Sequence, residues 1–146
     1  MTTPLYNARI LRLAASIPHH QRLASPMATS EKRSPVCGSR VTVDVDLDAE
    51  GRVAAVGLLV RACALGQASA SLMASEIVGK SGDDIAAARD SLAAWLAGEV
   101  DVPPPWPGLD LFEPARPHSA RHASIRLAFE AVAEAAAAAR ARGGTR

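Results

Sequence analysis

Aromatic residues are scarce in this 146-residue chain: two Trp, two Phe and one Tyr make up 3% of it, so a core must be built from aliphatic and small side chains. Cysteine is scarcer. Cys37 and Cys63 are too few for a disulfide framework, and in a reducing compartment such thiols more often serve packing, metal or redox chemistry. An excess of one charge is also missing. Sixteen basic and fifteen acidic residues are interspersed, for a net +1, which gives no electrostatic reason to expect nucleic acid or an acidic membrane as a partner. No long apolar run occurs. The opening MTTPLYNARILRLAASIPHH carries arginines inside its apolar stretch, unlike a signal peptide or a membrane span, so a cytoplasmic location is expected. Phosphate-loop chemistry is excluded as well, because the GKS at Gly79–Ser81 has no upstream glycine at the required spacing. No Ser, His and Asp set can be assembled on a positional argument, so hydrolysis has no support.

What is present fits one α+β domain over residues 1–146. Pro4 suits a first helical position, and Ile10, Leu13 and Ile17 recur at helical spacing until Pro18, predicting a helix from Pro4 to Ser16. An extended piece is expected somewhere from Arg22 to Ser30. In SRVTVDVDLD, Val41, Val43, Val45 and Leu47 alternate with Thr42, Asp44, Asp46 and Asp48, the pattern of a strand with one wet face. DAEG turns the chain, and RVAAVGLLVRA reads as the returning strand of an antiparallel hairpin. A turn centred between Ala49 and Glu50 projects Cys37 close to Ala62 and Cys63. Opposed residues in such a pair lie about 5 Å apart, which permits either a disulfide or two thiolates on one metal ion. Gly38 offers backbone freedom beside Cys37.

Helices follow. Leu65, Leu72, Met73 and Ile77 predict one that ends near Gly79 and sets Cys63 at its N-terminus, where exposed N–H groups and the dipole favour the thiolate. Ser81 with Asp84 opens the next, which Gly98 closes. DVPPPWPGLDLFEPARPH has too many prolines for a regular element and reads as a connector pinned by Trp106 and Phe112. SARHASIRLAFEAVAEAAAAARARGG is a final helix with an apolar stripe of Ile125, Ala128, Phe129 and Val132, its distal alanine run expected to be exposed and residues from about 140 to 146 frayed. His19 and His20 read as loop residues, and Lys80, Arg61 and Arg121 as a solvated face or a basic rim for a partner.

Pro35, Cys37 and Gly38, followed one hairpin later by Cys63, Ala68, Ser69 and Ser71, form a Pro-x-Cys-Gly and Cys-x-x-x-x-Ala-Ser-x-Ser combination. From about Leu5 to Ala135 the chain resembles the IscU/NifU-type iron–sulfur cluster assembly scaffolds, especially the SufU-like branch. The resemblance implies a binding protein rather than an enzyme. It implies that Cys37 and Cys63 hold iron, an iron–sulfur cluster or zinc, and that a cysteine desulfurase and recipient apo-proteins are partners. Two positions depart from the family. Ser39 stands where an aspartate is usual, and Ser124, placed by the likeness of Leu127–Phe129 to Leu-Ala-Trp, stands where a third cysteine is usual. Neutral hydroxyls are poor ligands for zinc or iron. His122 is then the best available third donor and His118 a weaker fourth, since imidazole replaces thiolate in both zinc and [2Fe–2S] centres. The alternatives left open are a metal-free adaptor in the same pathway and a persulfide carrier acting through Cys63.

Overall fold

Asn7 sets the first helix: its side chain accepts the Ile10 N–H at 3.0 Å, and α1 runs Ala8–Ala15 in the computed structural model, which describes residues 6–35 and 38–143. The expected start at Pro4 falls outside the described residues, and the helix begins later because Asn7 offers the side-chain oxygen that proline lacks. Three strands follow, β1 (Ala28–Arg33), β2 (Arg40–Leu47) and β3 (Val53–Arg61), paired antiparallel in the order β1-β2-β3. The extended piece expected from Arg22 to Ser30 is thus a strand only from Ala28. Asp48 builds the hairpin turn by accepting the N–H groups of Glu50 and Arg52, with Gly51 at φ +77. This turn, with an irregularity at Asp46/Leu47, shifts the pairing by two residues from the turn-centred expectation, so that Arg40 faces Arg61.

Among the described residues, five further helical segments, three α-helices and two 3-10 turns, complete the α+β fold. α2 (Ala64–Glu76) is buried on every side, from Leu65 and Gly66 through Ala68–Ala74, and lies against α1, α4 and the end of β3. Its Ala, Gly and Ser residues allow this, because small side chains let three neighbours approach one backbone. α3 (Gly82–Leu96) opens on a full capping box between Ser81 and Asp84 and packs on α4 (His122–Gly143). α4 in turn crosses β1 and β2, where Val41, Val43 and Val45 are buried. The alanine run is exposed only in part: Ala137 and Ala138 face solvent, while Ala135, Ala136 and Ala139 sit in the core, because α4 is sandwiched between the sheet and α3 along its distal turns. Arg142 Nη1 donates to the Met27 carbonyl at 2.6 Å, so the helix is still held at residue 142. The proline-rich connector contains a 3-10 segment at Leu109–Ala115, contrary to expectation, and Trp106 pins it by donating to the Leu72 carbonyl at 2.9 Å and meeting Phe129 edge-on at 5.2 Å.

The second face of the sheet is not wet along its length. Residues 18–27 form an arm across it. Asp44 is 0% exposed and accepts from Arg22 Nε at 2.7 Å, Arg22 Nη2 at 3.0 Å, Leu23 N–H at 2.9 Å and the Thr29 hydroxyl at 2.6 Å. Gly57, register partner of Asp44, lets the arm pass: a Cβ there would lie 2.4 Å from the Gln21 carbonyl. His19 and His20 cap the β3 edge, the first through its carbonyl to Leu58 N–H and the second through Nε2 to Val60 N–H. They are loop residues, as expected, and they hold the arm to β3.

Candidate functional site

Cys63 is the N-cap of α2. Its carbonyl accepts the Gln67 N–H at 2.9 Å, while its sulfur makes no capping bond, so that among the described residues the thiol is uncommitted beside the first-turn N–H groups. It is a free, half-buried cysteine that also packs against the core. Cys37, the expected partner, lies outside the described residues. The segments that flank it are placed: Ser34 N–H donates to the Ser39 carbonyl at 2.8 Å, Gly38 N–H donates to the Ser34 carbonyl at 3.2 Å, and Gly38 adopts φ +71, a conformation that glycine supplies at low cost. Ser39 and Ala62 each lie one residue beyond the last register pair, Arg40 with Arg61, so the loop that carries Cys37 leaves the sheet at the end where Cys63 begins α2.

α4 brings its first turn to the same place. A Cβ on Gly66, three residues after Cys63, would lie 3.3 Å from the Ser124 carbonyl and 3.7 Å from its Cβ. Ser69 fixes this approach by donating to the Ile125 carbonyl at 2.6 Å, and Ser71 ties the other side of α2 to the Ser16 carbonyl of α1 at 3.4 Å. The Ala-Ser-x-Ser part of the motif is thus a packing device. Its role was not legible in the sequence because helical serines give no sign of which neighbour's carbonyl they meet. Ser39 and Ser124 are both buried.

His122 begins α4, and its Nε2 lies 3.0 Å from the Ala115 carbonyl and 2.9 Å from that of Arg116. Carbonyls only accept, so Nε2 carries the proton, and Nδ1 is the nitrogen with a lone pair to offer. His118 is exposed at the start of a short 3-10 turn. Among the described residues, which exclude Cys37, no group of three or more His, Cys, Asp and Glu side chains is placed to hold a metal. Among the same residues no helix is long and apolar enough to cross a membrane.

The NifU-like N-terminal domain model matches residues 5–107. The chain belongs to this family. It is also similar to the crystal structure of a NifU-like protein (N-terminal) from Brucella abortus, at 38% identity and a TM-score of 0.88, over 94% of this chain and 96% of that one. A candidate iron–sulfur cluster assembly scaffold protein for the SUF system from Fervidobacterium islandicum shares the fold, with a TM-score of 0.80 at 18% identity, over 90% of this chain and 96% of that one. No match was found among curated proteins.

Proposed function

We propose that this NifU-like chain works in iron–sulfur cluster assembly as a non-catalytic scaffold or carrier, holding sulfur, iron or a nascent cluster as cargo on Cys63 together with Cys37. The observation that carries the reading is the uncommitted Cys63 thiol at the start of α2, where α4 brings Ser124 against Gly66. Family membership and the likeness to the Brucella abortus protein support it. A cysteine desulfurase is the expected sulfur source and apo-proteins the recipients, in the cytoplasm. In the loading step, the Cys63 thiolate attacks the outer sulfur of a donor persulfide. The donor's S–S bond breaks, its cysteine leaves as a thiolate, and Cys63 carries the new persulfide.

The ligand set bears on how the cargo is held. Ser39 and Ser124 are neutral at positions where the family usually supplies aspartate and cysteine, so fewer strong donors face the cargo. His122 is the third donor we assign, through Nδ1, with Nε2–H anchored on two carbonyls in the manner that fixes a metal-ligating histidine. Zinc in place of iron is compatible with two thiolates and an imidazole. A weakly held cargo suits a carrier that must release what it receives.

Reconstitution tests this. The protein is incubated anaerobically with a cysteine desulfurase, cysteine and ferrous iron, then mixed with an apo-ferredoxin. The expected result is a cluster absorbance that moves to the ferredoxin and is lost in Cys63→Ala. Sulfur labelling of Cys63 without any cluster would favour the persulfide carrier, and neither labelling nor cluster would favour the metal-free adaptor.

A further inference from the structure

Three arginines stand side by side across the sheet at the end nearest Cys63. Arg33 is the register partner of Arg40, and Arg40 of Arg61, which precedes Cys63 by two residues. Directly opposed residues project from one face of a sheet. This is the outer face, since Arg40 shares it with Thr42 and Asp44, while Val41 and Val43 turn inward to α4. Like charges directly opposed are unfavourable, and two such pairs share Arg40. Among the described residues a single carboxylate serves the row: Glu31 accepts from Arg33 Nε at 3.3 Å and lies 3.8 Å from Arg40 Nε. Among the described residues Arg61 has no acidic partner. The side chains are open to solvent, Arg33 at 66% and Arg40 at 36%.

The next register row inward is Glu31, Thr42 and Leu59, and Leu59 is 44% exposed. The arm crosses the outer face at the Asp44–Gly57 row and its His19 and His20 follow the β3 edge as far as Val60, yet Leu59 and the three arginines stay open to solvent around the buried Thr42 and form one patch. An exposed leucine with a row of arginines has the make-up of a protein-docking surface, in which arginine and buried apolar anchors dominate and complementary charge steers encounter. Charge self-repulsion that folding does not need is relieved when carboxylates arrive from outside.

Resting on the proposed assembly role, we infer that this patch is where the sulfur-delivering protein docks, through a carboxylate-rich surface flanking its persulfide-bearing cysteine and an apolar spot that receives Leu59. The position of the row explains why it would matter. A partner seated on Arg61 lies two residues along the chain from the thiol that must accept its sulfur.

Binding of the cysteine desulfurase from the same organism to the full chain, at about 50 mM and about 300 mM salt, tests the inference. Wild type is expected to bind more weakly at the higher salt. Replacing all three residues, Arg33→Ser, Arg40→Ser and Arg61→Ser, should weaken binding by about a hundredfold and Leu59→Ala by about tenfold. The isolated triple variant should keep or raise its thermal midpoint, since like-charge pairs are removed. An equal charge change at Arg9, Arg12 and Arg89, on α1 and α3, should leave binding within about twofold. If the triple variant binds like wild type and still accepts labelled sulfur on Cys63, the patch is not the docking site, while the assembly role stands. If wild type does not bind the desulfurase, or instead binds a single-stranded oligonucleotide in a manner that depends on the three arginines, the inference is overturned.

Discussion

Asp44 anchors the arm to the sheet, and its removal should separate the two. Four donor contacts converge on a carboxylate with no solvent exposure. Asp44→Ala leaves the Leu23 N–H and the Thr29 hydroxyl without their acceptor and Arg22 without its counterion. Each stranded buried donor costs about 1–3 kcal/mol, and breaking a buried ion pair from one side costs about 3–5 kcal/mol in all. Arg22 is 47% exposed and regains water, which places the expected loss near the lower end, about 3 kcal/mol. Against a typical domain stability of about 5–15 kcal/mol this is large but survivable. Urea denaturation of wild type and variant measures the loss. Amide hydrogen exchange locates it, since Leu58 N–H is protected by the His19 carbonyl and Leu23 N–H by Asp44 itself. A loss under about 1 kcal/mol, or unchanged exchange at Leu58, would refute the role given to Asp44.

Acid should release the same latch. Burial works to raise the Asp44 pKa, but the hydrogen bonds from Arg22, Thr29 and Leu23, with the guanidinium charge, outweigh it and hold the carboxyl below its usual range. A depressed folded pKa contributes stability that is present above the unfolded value and lost as pH falls through the folded one, so wild type should weaken on acidification and Asp44→Asn should flatten that limb in pH-dependent urea melts. Gly57→Ala places a methyl against the Gln21 and Leu23 backbone, so it should displace the arm at a cost of at least about 1–3 kcal/mol, read by thermal melting and by the same Leu58 exchange. Restoring the family's usual residues, Ser39→Asp with Ser124→Cys, should raise retained iron or zinc severalfold, measured by elemental analysis after desalting.

Much of the fold was legible because strong local signals agree with the packing. The valine alternation of β2, the Ser81 and Asp84 cap of α3 and the 3.6-residue stripe of α4 each state an element and its buried face. Asp44 was misjudged for a non-local reason: an aspartate in an alternating strand reads as solvated, and only the passage of Arg22 over Gly57 buries it. The buried part of the alanine run, Ala135, Ala136 and Ala139, is hidden for a similar reason, since small residues look exposed until a second layer, here α3 and the sheet, closes on both sides. At the site, Cys63 as helix start and the nearness of Ser124 followed from the motif. The arginine row did not, since it arises only when β1, β2 and β3 are brought into register and two residues of turn geometry decide which side chains align.

Metal and sulfide content of the protein purified anaerobically tests the central claim most directly. The account predicts iron, with or without sulfide, or zinc, near one equivalent of site per chain in wild type and its loss in Cys37→Ala with Cys63→Ala. Metal-free wild-type protein, or metal that survives loss of both thiols, would contradict it.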